Sequence, residues 1–300
     1  MILRDLGEFN LIDRIKKDIS KSSSVIKGIG DDTAVLRYKK GKFLLFTIDM
    51  LIEGRHFTKK LDPYLVGKKA LSVSISDIAS MGGIPTNFLV SLGVKSGLDV
   101  KYIDRLYRGM KDVAKRFNIN LVGGDTVKSE KIIIDIALLG EVKKKDLTLR
   151  SNAKDKDLIF LTGDIGGSIK NKHFNFTPRI KEAQFLVKNF KISSMIDVSD
   201  GLSQDLGHIL KASSVGGVIH EEKIPLSKDA RDFNSSLSDG EDFELVFTLP
   251  KKEGLRLMKI WPFKTRLSNI GEITSSNKGI MLVLKDGKIS KLKVKGYTHF

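Results

Sequence analysis

Carboxylates set among small residues are the groups in this sequence best suited to chemistry. They occur in GDDTA (Asp31, Asp32), TID (Asp49), SISDIASMGG (Asp77), GGDT (Asp125), DVSDG (Asp197, Asp200) and GEDFEL (Glu241, Asp242). Glycine, serine and threonine beside an acid let backbone and carboxylate approach a phosphate or a hydrated ion together. Magnesium takes hard oxygen ligands, keeps several waters and is commonly shared between a few carboxylates and substrate phosphates, so dispersed aspartates suit it. Taken one at a time, Gly30-Asp31, Gly124-Asp125 and Asp200-Gly201 also fit turn or cap positions. Asp77 does not: it shares a stripe with Ala70 and Ser74 on an otherwise apolar helix, where an unpaired charge is costly.

The elements that must carry these acids follow from hydrophobic periodicity. KFLLFTI (42–48) reads as a strand delivering Asp49 at its end. Leu71, Ile75 and Ile78 recur at helical spacing between Pro63 and Met81, and Gly82-Gly83 with Pro85 end that helix. A strand at 86–94, a helix at 100–117, a short strand reaching GGDT and a strand at 131–140, buried on both faces, complete the first half. After a polar stretch at 143–157, strands are expected at 157–163, 243–249, 267–273 and 280–285, with helices at 179–190 and 203–214. The alternation indicates two α/β units, divided as 1–145 and 146–300, with no short repeat.

Bulk properties exclude several classes. The 300 residues include no cysteine, which removes disulfides, thiolate metal sites and cysteine nucleophiles. Arg4, Asp5 and Glu8 stand where a signal peptide needs an apolar core, and no apolar run reaches membrane-spanning length, so a cytoplasmic protein without membrane contact is expected. The net charge of +16 invites a nucleic-acid reading. The lysines are spread along the chain without a basic helix or aromatic-interleaved stripe, which makes a nucleic-acid partner the minor alternative.

In order, GIGDDTAVL (28–36), TIDMLIEGRHF (47–57), SDIASMGGIP (76–85), LVGGDT (121–126), TLR (148–150), IDVSDGLSQDLGHI (196–209), DGEDFELVFT (239–248) and KGYTHF (295–300) resemble the thiamine-monophosphate kinase family. GDD and SDG recur across the wider aminoimidazole-ribonucleotide-synthetase-like superfamily, whereas EGRHF and GYTHF resemble the thiamine-phosphate branch. The resemblance implies an α/β (α+β) fold of two domains: an N-terminal mixed sheet that forms a homodimer and a C-terminal α/β domain. It implies ATP-dependent phosphorylation of thiamine monophosphate with several magnesium ions and no general base. Asp32, Thr47, Ile48, Asp49, Asp77, Asp125, Asp197 and Asp200 match the family's metal positions. Tyr107, Gly124, Asp125, Arg150 and Ser199 match its ATP contacts, and His56, Glu241 and Tyr297 its substrate contacts.

Two departures are local. Ile48 stands where the family often has threonine, so any metal contact there falls to its backbone. LTGDIGGSIKNKHF is shorter and less glycine-patterned than the family's turn and helix, so 164–176 departs from the family pattern. Within the superfamily the alternatives are an aminoimidazole ribonucleotide synthetase and a selenophosphate synthetase, the latter commonly using a cysteine or selenocysteine that this chain lacks.

Overall fold

The structure, a computed structural model, describes every residue except Met1, Asp18, Lys21, Asn171, Asn277, His299 and Phe300. The first half contains α1 (Leu3–Leu6), α2 (Glu8–Lys17), β1 (Val25–Lys27), β2 (Ala34–Arg37), β3 (Lys42–Ile52), α3 (Pro63–Ser80), β4 (Ile84–Val94), α4 (Val100–Phe117), β5 (Asn120–Lys128) and β6 (Ile133–Lys143). Its strands form a mixed sheet in the order β1-β2-β3-β6-β4-β5, in which only the β4/β5 pair is parallel.

The second half contains β7 (Asp157–Thr162), α5 (Ile180–Asn189), β8 (Ser194–Asp197), α6 (Leu202–Ser213), β9 (Gly216–His220), α7 (Phe233–Ser236), β10 (Leu245–Pro250), α8 (Lys251–Ile260), β11 (Leu267–Thr274), β12 (Ile280–Val283) and β13 (Ile289–Lys291). These strands form a second sheet, β13-β12-β9-β11-β7-β10-β8. β7 and β10 are interior strands of this sheet, and nearly every residue of both is buried.

Helix α3 positions the site. Asp62 caps it by accepting from the Tyr64 amide, and Pro63 occupies the first turn, where its missing N–H costs nothing. Gly67 and Gly109 let α3 and α4 cross closely: a methyl on Gly67 would fall 2.0 Å from the Leu106 carbonyl oxygen. Leu71, Ile75 and Ile78 bury against inward rows of the sheet that include Phe88, Val90, Ile136 and Leu138. The chain leaves the helix through Gly82, whose φ of 69° is open to glycine at little cost.

Two expectations are corrected. Asp49 does not end its strand, because β3 runs on to Ile52 in unbroken register with β6. β6 alternates buried and half-buried residues instead of burying both faces: one face packs on α3, and the other carries Ala137 and Asp135 beside exposed Ile48 and Met50. An apolar run has no period with which to tell these two cases apart.

Candidate active site

The carboxylates converge on one side of α3. Along β3, Thr47 and Asp49 point toward the helix, in register with Leu138 and Ile136 on β6. Ser74, Ser76 and Ser80 on α3 each meet a carboxylate. Ser74 Oγ donates to Asp49 at 2.7 Å and Ser76 Oγ to Asp197 at 2.6 Å, and Ser80 Oγ lies 2.7 Å from Asp32 Oδ2. Asp77 accepts from the Thr47 hydroxyl. Oxygens of Asp32, Asp77 and Asp197 all lie within 4.8 Å of one another.

Such a group of acids carries an electrostatic cost. Burial, opposed by the Ser74 hydrogen bond and reinforced by Asp135 and Asp32, pushes the Asp49 carboxyl up to about 6. Burial and the neighbouring Asp32 push Asp197 up to about 8. Asp77 is raised well above the usual carboxylate range by burial and by Asp49, Asp197 and Asp32. Arg150 answers part of this charge: its amide donates to Asp31 at 3.0 Å and its Nη2 to Asp32 at 2.6 Å. Burial opposes the guanidinium charge, but Asp32, Asp31 and Asp205 outweigh it and hold Arg150 firmly protonated. The Asp31 Oδ2 is buried with no hydrogen-bond partner, although Lys27 Nζ stands 3.3 Å away. Close carboxylates of raised pKa, held by hydroxyls, form a donor set that fits a hard divalent cation.

Beside the acids lies a cleft of ≈580 Å³ whose walls include Ile48, Asp49, His56, Ser199, Asp200, Glu241 and Tyr297. Asp200 is fixed by Gln204, and its carbonyl accepts from the Tyr297 amide at 3.0 Å, which seats the C-terminal segment on the cleft. Arg55 lies 4.8 Å over the Tyr297 ring. His56 accepts from the Ile52 amide through Nδ1 at 2.9 Å, which sets the direction of its ring. The Ser199 carbonyl accepts from the Glu241 amide at 2.7 Å and helps hold Glu241 at a φ of 57°, unusual for a residue with a side chain.

Other candidates stand apart. Asp125 pairs in register with Ser91, which aligns with Asp135 and Met50, so it lies on the sheet face opposite α3. β6 and β4 separate its strand from β3, a span of about 14 Å at ordinary strand spacing. Gly124 lets β5 close on β4, since a methyl there would fall 1.9 Å from the Val90 oxygen. Ile48 is 64% exposed and directs its side chain away from the acids. Tyr107 packs, half-buried, against the N-terminal core from α4. The final His299 and Phe300 of GYTHF lie outside the described residues.

Sequence reasoning missed several residues. Lys69 is fully buried and ion-paired to Glu241, which also pairs with His173. Lys69, Ser76 and Ser80 follow one helical stripe at i, i+7 and i+11, a polar row that the spacing could have revealed. Asp205 accepts from the amides of Asp200 and Gly201 and groups with Asp200 and His208. Within 164–176, Ser168–Lys170 and Lys172–Phe174 form two short 3-10 turns, tied down by Asp242, which accepts from Gly166 and Ser168, and by Glu244, which pairs with Lys172 and Arg179.

Comparison with known proteins follows this architecture. Residues 30–142 match the AIR synthase related protein N-terminal domain, and residues 140–283 match its C-terminal domain. A thiamine-monophosphate kinase of Buchnera aphidicola subsp. Schizaphis graminum is 35% identical, covering 99% of both chains. That of Bacillus subtilis is 34% identical over 98% of this chain and 100% of its own. A solved structure described as AaThiL complexed with AMPPCP and TMP superimposes with a TM-score of 0.87 at 34% identity, covering 100% of this chain and 99% of that one. The thiamine monophosphate kinase structure from Aquifex aeolicus gives 0.80 at 31% identity, covering 97% of this chain and 100% of that one.

Proposed function

From the premise that this chain belongs to the AIR synthase related family, and within it to the thiamine-monophosphate kinases, we propose that it transfers the γ-phosphoryl group of ATP to thiamine monophosphate, giving thiamine diphosphate and ADP. The observation that carries this reading is the convergence of Asp32, Asp77 and Asp197 beside a cleft that Glu241 and Tyr297 also reach.

The acceptor oxygen of a phosphate monoester is already anionic at neutral pH, so no side chain needs to remove a proton. The obstacle is the approach of two anions: like unit charges 4 Å apart repel by roughly 4 kcal/mol at an effective dielectric of 20. Magnesium, when bound, supplies the positive charge that screens this repulsion and orients the triphosphate. Asp32, Asp49, Asp77 and Asp197 would hold it, with Thr47 and the Ile48 backbone beside them and Asp200 at the mouth of the cleft. Arg150, directed by Asp31 and Asp32, presents a fixed guanidinium for phosphate oxygens, and Ser199 borders the same space. On the cleft wall, His56, Glu241 and Tyr297 receive the thiamine portion, with the Glu241 carboxylate attracting its cationic ring system.

We further assign a homodimer. Phe46, Ile48, Met50, Leu89, Val122 and Val127 are exposed large apolar residues on β3, β4 and β5, more than a single chain normally leaves open in one region. A second copy of the chain covering them would make Asp125 and Gly124 interface residues, which accounts for their distance from the acids of their own protomer; Tyr107 stays an ATP contact under the same reading. The domain division at 145/146 falls between the end of β6 and the start of β7. No described helix is long and apolar enough to cross a membrane, and we place the enzyme in the cytoplasm.

The test is an assay of thiamine diphosphate formation from ATP and thiamine monophosphate with magnesium, beside other phosphorylated acceptors. No thiamine diphosphate would refute the reading.

A further inference from the structure

A lysine with no exposed side-chain surface needs a reason, because burying an ammonium is costly unless every donor finds a partner. Lys69 rises from α3 in the first half, and its partners frame the cleft. Its Nζ pairs with Glu241 Oε1, lies 3.0 Å from His173 Nδ1 and 3.4 Å from the His56 carbonyl oxygen, and stands 5.1 Å over the Phe174 ring. His173 Nδ1 meets the other oxygen, Glu241 Oε2.

The protonation pattern follows from what a carboxylate can do. Burial would raise the Glu241 carboxyl, but His173 and Lys69 outweigh it and lower it to about 2, so it accepts only. The hydrogen on His173 Nδ1 therefore points to Glu241, and Lys69 donates to the remaining oxygen. Both carboxylate oxygens are held from behind, yet 27% of the Glu241 side chain stays open to the cleft. One buried cation thus connects the carboxylate of Glu241 to the backbone of His56 across the two halves of the chain.

We propose that Lys69, with His173, is a positioning residue for the acceptor: it aims Glu241 and the His56 loop at the thiamine portion and takes no part in holding ATP. The proposal rests on the assignment of His56 and Glu241 to the acceptor. It separates Lys69 from the acids, whose hydroxyl partners lie farther along α3 at Ser74, Ser76 and Ser80.

The experiment is steady-state kinetics of Lys69→Met, His173→Gln, Glu241→Gln and the double variant Lys69→Met/Glu241→Gln, varying thiamine monophosphate and ATP separately, with thermal melts as the folding control. Lys69→Met should raise KM for thiamine monophosphate tenfold or more and leave KM for ATP within twofold. His173→Gln, which keeps the ion pair, should show the same split to a smaller degree. In the double variant the two effects should fall well short of multiplying, because both changes act through one carboxylate. If Lys69→Met does not fold, the split in His173→Gln decides. Equal changes in both KM values, or no change in either, with wild-type turnover intact, would overturn the proposal alone. Absence of turnover by the wild type would overturn the functional reading and this inference with it.

Discussion

The hydroxyl of Ser76 on α3 donates to the carboxylate of Asp197 at the end of β8, at 2.6 Å and 121 residues apart in sequence. This bond ties the helix of the first half to an acid of the second. Both groups are buried, so no water can replace the donor. If magnesium binds Asp197 as proposed, the carboxylate would be ionised and the bond charge-assisted. Ser76→Ala should then cost about 1.5–3 kcal/mol of stability, and less without the ion, when the carboxyl carries a proton. Thermal melts of both proteins, with and without magnesium, check this; equal losses in the two conditions would contradict it.

Asp77→Asn keeps the side-chain shape and the hydrogen bond from Thr47 while removing one charge from the acid cluster. Turnover should fall by on the order of 10²-fold or more, as expected for loss of a metal-holding oxygen. The metal-free protein should be as stable as wild type or more so, because a buried carboxylate crowded by Asp49, Asp197 and Asp32 is replaced by a neutral amide. Assay and melting of the same preparation separate the two effects. Unchanged turnover would remove Asp77 from the site.

Protons and magnesium should compete for the acids. Asp49 and Asp197 are raised from 3.8 to about 6 and about 8, and Asp77 is raised further than an ordinary carboxylate. A raised folded-state value stabilises the protein below the unfolded value, near 4, and that contribution is lost as pH rises through the folded value. The metal-free protein should therefore lose melting temperature between about pH 5 and pH 8, and magnesium should offset the loss. At pH 7 magnesium should release protons on binding, seen in calorimetry as an enthalpy that depends on the buffer's ionisation heat. A buffer-independent enthalpy would refute protonated acids in the metal-free site.

What could be read in advance divides by range. α3 and α4 were legible because period and cap signals are local: Asp62-Pro63 opens one and Gly82-Gly83 closes it. The β6 run IIDIALLG was less legible, since which apolar residue meets α3 depends on pairing with β3 and β4 and not on the run itself. Asp32, Asp77 and Asp197 were legible as residues through their motifs, but their meeting within 4.8 Å depends on docking the halves. Lys69 stayed hidden because a lone lysine on a helix reads as surface until Glu241 and His173 arrive from 172 and 104 residues away. Asp125 shows the reverse case. Its motif marked it as a site residue, yet it lies on the far face, because the motif carries no information about which face of the sheet its strand turns toward α3.

The exposed face that bears Asp125 leads to the last prediction. Leu89 aligns in register with Ala137, and Ala137 with Ile48, so the three form one row across β4, β6 and β3 on the face away from α3. Leu89 is 44% exposed and Ile48 64%. Burying such a side chain fully stabilises an association by roughly 1.5–3 kcal/mol, whereas a carboxylate placed in the same row would have to be desolvated without a partner. Leu89→Asp should therefore convert a dimer to a monomer in sedimentation, with the melting temperature of the isolated chain little changed, since the side chain is not part of the core. Turnover should fall together with the dimer if Asp125 and Gly124 act across the interface. A variant that is monomeric and fully active would confine the site to one protomer, and a wild-type chain that sediments as a monomer would remove the dimer altogether.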